Sequence, residues 1–209
     1  KNSYPKNNKP LNRTQFRAAA LRYIEDPIAK LFSKLGISPN LITVFGLLFS
    51  IVAALLASMD ALRLSGIAFL VAGFMDMLDG TLARYGNRAT KTGSLLDSVL
   101  DRIGEAALFL GLTIYGVRLY ISDSVLTLYL TTLLIALVTS QLVSYLRAKG
   151  ESLGIEMGHG VMTRTERLLC LSLGLILAQP WLALALVAIL STLTVLQRFR
   201  HIWRNVDTI

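Results

Sequence analysis

The sequence DMLDGTLAR at positions 76–84, followed by GSLLDSVLD at positions 93–101, places four aspartates within apolar segments. Asp76 and Asp79 are three residues apart, and Asp97 and Asp101 are four apart, so each pair shares one face of a helix. Carboxylates in the hydrocarbon of a bilayer are energetically expensive and mark a functional site. Two facing helices would bring all four together, a ligand set that suits Mg²⁺, with Mn²⁺ as the alternative metal. We expect two ions, which could clamp both sides of a phosphoryl displacement.

The composition identifies an integral membrane protein. Of the 209 residues, 54% are hydrophobic and only 16% are charged, whereas a soluble domain carries roughly 25% charged residues. A membrane span needs about 20 apolar residues. The apolar segments predict an all-α fold of six transmembrane helices, at about 38–59, 64–85, 93–117, 124–146, 161–178 and 181–200.

The N-terminal region is polar and basic rather than apolar. Residues 1–12 are rich in Lys, Asn and Pro and predict a disordered leader or a remnant of expression. From Thr14 to Leu35, apolar and basic residues alternate at helical spacing, which predicts an amphipathic juxtamembrane helix broken at Asp26-Pro27. The alternative is a surface helix of a soluble domain, which the adjacent spans disfavour. We interpret residues 13–209 as one membrane domain.

The net charge of +8 does not indicate a nucleic-acid-binding protein, because the basic residues fall between the hydrophobic segments. They crowd the N-terminal region, the loops after the second and fourth spans, and the C-terminus, whereas the opposite side holds only Arg63 and Arg118. The positive-inside rule therefore predicts that both termini are cytoplasmic and that the aspartates lie towards the cytoplasm.

The spacing Asp76-x2-Asp79-Gly80-x2-Ala83-Arg84-x8-Gly93-x3-Asp97-x3-Asp101 resembles the complete signature of the CDP-alcohol phosphotransferase family. The resemblance implies an enzyme that displaces CMP from a CDP-linked alcohol by attack of a second alcohol's hydroxyl. It also implies a homodimer in the cell membrane, with six transmembrane helices, an open polar cavity facing the cytoplasm, and Mg²⁺ dependence.

The resemblance also implies roles for individual residues. Asp76, Asp79, Asp97 and Asp101 would be metal ligands, and Asp101 would also be the general base for the acceptor's hydroxyl. The residues expected to contact the CDP donor are Pro39, Asn40, Leu41, Ile42, Gly80, Ala83, Arg84, Thr90 and Gly93. Two of these have structural alternatives, because Thr90 could cap the third helix and Pro39 could start the first.

A basic set near the ends of the last three spans points to an anionic acceptor, since Arg matches phosphate geometry. The runs Ser144-Tyr-Leu-Arg147-Ala-Lys149, Glu166-Arg167-Leu168 and Gln197-Arg198 resemble those of actinobacterial phosphatidylinositol phosphate synthases and of archaetidylinositol phosphate synthases. By that resemblance, Ser144, Arg147, Arg167 and Arg198 would bind the phosphate of inositol 1-phosphate, and the donor would be CDP-diacylglycerol. The order of Arg147 and Lys149 follows the archaeal pattern, so the ester or ether nature of the lipid stays open.

Several alternatives remain. The same chemistry with glycerol 3-phosphate would give phosphatidylglycerol phosphate, and a different CDP-linked donor would give archaetidylinositol phosphate or di-inositol phosphate phosphate. A cation transporter could also use the carboxylates, but neither repeats nor broken helices are evident in the sequence. Glu105, one turn beyond Asp101, is not assigned to the metal and could orient a neighbouring group or pair with Arg102 or another neighbour. His159, in a glycine-rich loop, is expected to be a solvated loop residue, with a substrate contact as the alternative.

Overall fold

The computed structural model of the protein describes residues 27, 30–32, 36–85, 89–120, 122–158 and 160–206. From residue 36 onward these residues form six helices: α1 (Pro39–Ser58), α2 (Leu62–Tyr85), α3 (Lys91–Leu119), α4 (Asp123–Ser152), α5 (Arg164–Ile176) and α6 (Pro180–Asn205). No strand occurs in this part of the chain, so the predicted all-α architecture is confirmed. The leader, most of the predicted amphipathic helix and His159 lie outside the described residues.

Four of the six helices are long and apolar enough to cross a membrane. These are α1, α2, α4 and α6. By contrast, α3 carries four charged residues between Asp97 and Glu105, and α5 has only 13 residues. A helix of that length rises about 20 Å, which is less than the hydrocarbon thickness of about 30 Å. The crossing of the bilayer by α3 and α5 therefore stays a prediction.

The helix ends depart from the predicted ones where local chemistry overrides hydropathy. Helix α4 continues past the predicted end at Leu146 to Ser152, because helical hydrogen bonding does not stop where the side chains become polar. The chain turns only near Gly154, whose φ of +76° suits glycine. Helix α5 begins later than expected, since Thr163 N–H donates to Glu166 Oε2 at 3.1 Å in a capping box.

The packing order of the helices brings the polar ends of α2, α3, α4 and α5 together. Helix α1 packs on α2 and α3, and α4 packs on α6. Helix α5 contacts both α2 and α6 and thus joins the two groups. Buried apolar residues from all six helices form the core, among them Ala53, Phe69, Leu108, Leu133, Leu171 and Leu184. The short α5 is therefore anchored in the core at one end and reaches the polar region with the other.

The close contact between α1 and α3 depends on glycine, and we expect Gly111→Ala to destabilise the protein. A Cβ at Gly111 would lie 2.2 Å from the backbone oxygen of Ala54, so the two helices would have to separate. Overpacking of this kind costs about 1–3 kcal/mol or more. Gly158→Ala is the matched control, because a Cβ there meets nothing within 4 Å. Thermal unfolding of the purified proteins measures the effect, and equal midpoints for the two variants would contradict the packing argument.

Candidate active site

Three of the four predicted aspartate ligands converge between α2 and α3. One carboxylate oxygen from each of Asp76, Asp97 and Asp101 lies within 4.8 Å of the others. We refer to these three residues as the aspartate cluster. Asp97 Oδ1 is buried and has no hydrogen-bond partner among the described residues. An orphaned carboxylate oxygen beside two further carboxylates fits the oxygen-ligand preference of a divalent cation.

The fourth predicted ligand, Asp79, is not one of the three converging carboxylates, but it lines a cavity together with Asp97. It is buried and accepts a hydrogen bond from Thr43 Oγ1 on α1 at 2.7 Å. Thr43 also donates to the carbonyl of Pro39, one turn earlier in the same helix. Thr43 therefore fixes Asp79 against the start of α1. The sequence analysis missed this contact, because no pattern relates a threonine on one helix to an aspartate on the next. Coordination of a metal by Asp79 stays a prediction.

Arg164, the first residue of α5, bridges two members of the aspartate cluster. Its Nη1 lies 2.6 Å from Asp76 Oδ1, and its Nη2 forms an ion pair with Asp101 Oδ1. No spacing in the sequence predicts this bridge, which joins Arg164 to Asp76, 88 positions earlier in the chain. Its contact with the aspartates depends on how α5 docks against α2, which the local sequence does not specify.

A cavity of about 220 Å³ opens beside Asp79 and Asp97. We call it the donor cavity, because seven of the nine residues predicted to contact CDP line it. They are Pro39, Asn40, Gly80, Ala83, Arg84, Thr90 and Gly93. The remaining two do not line it: Leu41 is exposed, and Ile42 is buried against Leu78 and Leu82.

Local contacts explain the residue types around the donor cavity. Thr90 caps α3, since its Oγ1 accepts from the backbone N–H of Gly93 at 3.0 Å. A Cβ at Gly93 would lie 3.0 Å from Thr90 Oγ1 and 3.1 Å from Asn40 Oδ1, so glycine lets these two polar groups approach. Arg84 donates to Thr81 Oγ1 at 3.0 Å from within α2. The structural alternative for Thr90, a helix cap, is thus observed, and it leaves the residue on the cavity wall.

A larger cavity of about 350 Å³ is also bordered by the aspartates. All four residues predicted to bind the acceptor's phosphate line it, namely Ser144, Arg147, Arg167 and Arg198, and so does Arg164. Asp97 and Asp101 form part of its wall. We call it the phosphate cavity. Asp97 lines both this cavity and the donor cavity, so the two cavities meet at one member of the aspartate cluster.

Arg167 is the most deeply buried charged group of the phosphate cavity. Its Nε and Nη2 donate to the two oxygens of Glu105 at 2.9 and 3.2 Å, and only 1% of the side chain is exposed. Its Nη1 is buried without an acceptor among the described residues. A guanidinium held by a fork-to-fork pair, with one donor left over, is suited to binding an additional anionic oxygen. The partner of Glu105 is therefore Arg167 on another helix rather than Arg102 on its own helix.

Two other basic residues of the phosphate cavity, Arg198 and Arg147, differ from each other in burial and in hydrogen-bond partner. Arg198 is buried on α6 and donates through Nη1 to the carbonyl of Val143 on α4 at 2.6 Å. Arg147 is exposed and pairs with Glu151, one turn later in α4, at 2.9 Å. Exposed ion pairs are weak, so Arg147 can leave Glu151 at little cost.

An apolar groove of about 420 Å³ runs between α2 and α5. Its walls are Leu70, Val71, Gly73, Phe74, Met77, Thr165, Leu168 and Leu169, and it reaches Asp76 and Arg164. The groove thus joins an apolar flank of the helices to the edge of the aspartate cluster.

The comparisons with known proteins agree with this geometry. The chain is 35% identical over 198 residues to the archaetidylinositol phosphate synthase of Methanothermobacter thermautotrophicus, covering 91% of this chain and 94% of that protein. It is 32% identical over 197 residues to the phosphatidylinositol phosphate synthase of Mycobacterium tuberculosis strain H37Rv, covering 90% of this chain and 89% of that protein.

Solved structures of the Mycobacterium tuberculosis enzyme resemble this one. A crystal structure with CDP-DAG bound has a TM-score of 0.76 and 30% identity, and covers 87% of this chain and 94% of that one. A second, in complex with manganese and citrate, has a TM-score of 0.76 and 30% identity, and covers 86% of this chain and 88% of that one. The profile of the CDP-alcohol phosphatidyltransferase family matches residues 36–197. This chain therefore belongs to the CDP-alcohol phosphatidyltransferase family.

Proposed function

We propose that the protein transfers the phosphatidyl group of CDP-diacylglycerol to inositol 1-phosphate, giving phosphatidylinositol phosphate and CMP. The observation that carries this proposal is that the donor cavity and the phosphate cavity share Asp97, a member of the aspartate cluster, and that Asp101 also borders the phosphate cavity. A phosphoryl transfer needs its donor and acceptor held on either side of the reacting phosphorus. The relatives named as synthases of inositol phosphate lipids support the choice of acceptor.

The nucleotide and the hydrocarbon chains of the donor each match a different cavity of the site. The donor cavity is polar where Asn40, Arg84 and Thr90 line it, which suits a nucleotide diphosphate. The apolar groove between α2 and α5 reaches Asp76 and would take a hydrocarbon chain. The presence of bound CDP-DAG in a structural relative with 30% identity supports a CDP-lipid donor in this chain as well.

The acceptor's phosphate would bind in the phosphate cavity. Arg167 offers its unpartnered Nη1 there, and Arg198 and Arg147 add positive charge nearby. Arg forms bidentate hydrogen bonds with phosphate, so these residues would position the inositol ring with a free hydroxyl towards Asp101. Ser144, whose Oγ lies 3.5 Å from Arg167 Nη2, would add a neutral contact to the same phosphate.

In this mechanism Asp101 accepts the proton of the attacking inositol hydroxyl. The hydroxyl oxygen forms a bond to the phosphorus that carries the diacylglycerol, and the bond from that phosphorus to the CMP oxygen breaks. We propose that the site holds two divalent cations, either Mg²⁺ or Mn²⁺. Their ligands would be the carboxylates of Asp76, Asp79, Asp97 and Asp101. When bound, the metal would neutralise charge on the pyrophosphate and on the departing CMP. Arg84 would hold the nucleotide while CMP separates.

We also propose that all six helices cross the cell membrane, with the active site facing the cytoplasm. The end of the helices that carries the cavities is the more basic one. It holds Arg84, Lys91, Arg147, Arg164 and Arg204, whereas the other end holds Arg63 and Arg118. The positive-inside rule assigns the first end to the cytoplasm. The same assignment puts both termini of the single domain, residues 13–209, on that side. We further propose that the protein forms the homodimer that the family resemblance implies.

The test is CMP release by the purified protein. CDP-diacylglycerol would be supplied in mixed micelles, and inositol 1-phosphate, glycerol 3-phosphate, inositol and serine would be offered separately. We expect release only with inositol 1-phosphate, and we expect EDTA to abolish it and Mg²⁺ or Mn²⁺ to restore it. A parallel reaction with CDP-archaeol tests the ether-linked donor.

Each outcome of that assay has a distinct meaning. Release with glycerol 3-phosphate alone would retain the aspartate chemistry and refute the acceptor. Release that survives EDTA would refute the metal role of the aspartates. Release with CDP-archaeol but not CDP-diacylglycerol would refute the diacyl donor and retain the acceptor.

A further inference from the structure

Arg164 lies where three cavities of the active site meet. It lines the phosphate cavity, the apolar groove between α2 and α5, and a small chamber of about 30 Å³ beneath the aspartates. Its side chain is 38% exposed, so it has room to move, while its backbone is fixed by the capping box that begins α5. A long, charged side chain on a fixed backbone can reach either of two neighbouring sites.

In the structure, Arg164 forms ion pairs with two members of the aspartate cluster. It bonds to Asp76 Oδ1 and Asp101 Oδ1, which are carboxylates that a divalent cation would also use. A guanidinium and a divalent cation within a few ångströms repel each other strongly in a site of low dielectric constant. Binding of the metal therefore weakens the hold of the aspartates on Arg164.

The phosphate cavity is the polar space open to a released Arg164 side chain. Glu105 and Glu151 already pair with Arg167 and Arg147 there, so a further guanidinium gains most from this cavity when an added anion is present. A bound phosphate provides that anion. Metal in the aspartate cluster and phosphate in the cavity thus both favour the same position of Arg164.

We propose that Arg164 is a positioning residue that couples metal binding to acceptor binding. The divalent cation takes over the carboxylates of Asp76 and Asp101, and Arg164 turns to the phosphate cavity and binds the acceptor's phosphate. The coupling rests on the proposed function, which supplies both the metal and the phosphate. Because linkage is reciprocal, each ligand strengthens the binding of the other by the same factor.

The first test is Mn²⁺ affinity, measured by electron paramagnetic resonance on the purified full chain without substrate. We expect Arg164→Gln to bind Mn²⁺ about tenfold more tightly than the unsubstituted protein, because the competing cation is gone. Arg102→Gln is the matched control. It removes a charge from the same cavity, but Arg102 donates to the Ser98 carbonyl of its own helix rather than to an aspartate. We expect little change there.

The outcomes of this test are separable. Weaker or unchanged Mn²⁺ binding by Arg164→Gln would mean that the arginine only supports the structure, and would overturn the coupling. An equal gain in Arg102→Gln would reduce the effect to net charge and would also overturn it. An unsubstituted protein that binds no Mn²⁺ would refute the metal role in the proposed function, and the coupling with it.

The second test is inositol 1-phosphate affinity with and without Mn²⁺, measured by calorimetry. In the unsubstituted protein we expect Mn²⁺ to strengthen phosphate binding about tenfold, and in Arg164→Gln we expect that gain to disappear. A gain that persists in Arg164→Gln would show that metal and phosphate contact each other directly, which overturns the role of Arg164. A failure to bind inositol 1-phosphate under either condition would refute the proposed acceptor instead.

Discussion

Asp101→Asn is expected to reduce CMP release by about 10³-fold or more, because the amide can neither accept the hydroxyl proton nor supply a full negative charge to a metal. Asp101 lines both the phosphate cavity and the chamber beneath the aspartates, and pairs with Arg164. The substitution is nearly isosteric. We therefore expect the fold to persist, with the loss falling on the maximal rate rather than on the binding of either substrate.

The measurement is the initial rate of CMP release with saturating CDP-diacylglycerol and inositol 1-phosphate. Asp60→Asn provides the matched control, since Asp60 is exposed in the turn between α1 and α2 and its φ of 64° is one that asparagine tolerates. The control is expected to keep its activity. Turnover within about tenfold of the unsubstituted rate in Asp101→Asn would remove this residue from the role of general base.

The second large effect is expected for Arg167→Gln, which should raise the KM for inositol 1-phosphate by roughly 10- to 100-fold. That is the loss expected for one or two charge-assisted hydrogen bonds. The KM for the CDP-lipid should change little, because Arg167 lines the phosphate cavity and not the donor cavity. The substitution also leaves Glu105 as a largely buried carboxylate without its cation, at a cost of about 3–5 kcal/mol.

A double substitution separates binding from stability at this position. Adding Glu105→Gln to Arg167→Gln removes the unpaired carboxylate, so the thermal midpoint should recover while the high KM remains. Arg147→Gln is the graded control, because Arg147 is exposed and its pair with Glu151 is a surface one. Its KM should rise by less than about fivefold. Two results would contradict the role of Arg167 in binding the acceptor's phosphate. One is an equal rise of the KM for inositol 1-phosphate in Arg167→Gln and Arg147→Gln, and the other is a rise of the KM for the CDP-lipid in Arg167→Gln.

The sequence was most informative where function depends on spacing within one helix. Separations of three and four residues placed Asp76 beside Asp79 on α2, and Asp97 beside Asp101 on α3. The apolar segments likewise gave the positions of all six helices from residue 36 onward. Such features depend on helical geometry and hydropathy, which are local.

The rest depends on how the helices dock. The bridge from Arg164 to Asp76 and the pair of Arg167 with Glu105 each join residues on different helices, so no spacing predicts them. The hydrogen bond from Thr43 to Asp79 also follows from docking, since the two residues lie on α1 and α2. Helix α5 is shorter than the apolar segment suggested because its capping box sets the first turn.

The shortness of α5 has a consequence for how the two substrates arrive. An apolar groove of about 420 Å³ lies between the short α5 and α2 and forms a notch that reaches Asp76. A lipid in the surrounding leaflet can slide into such a notch without leaving its neighbours, whereas a sugar phosphate must descend from water. Supply of the first follows its mole fraction in the membrane, and supply of the second follows its concentration in solution. We therefore expect the enzyme to draw its substrates from two phases, so that a change in lipid composition alters its rate as directly as a change in metabolite level.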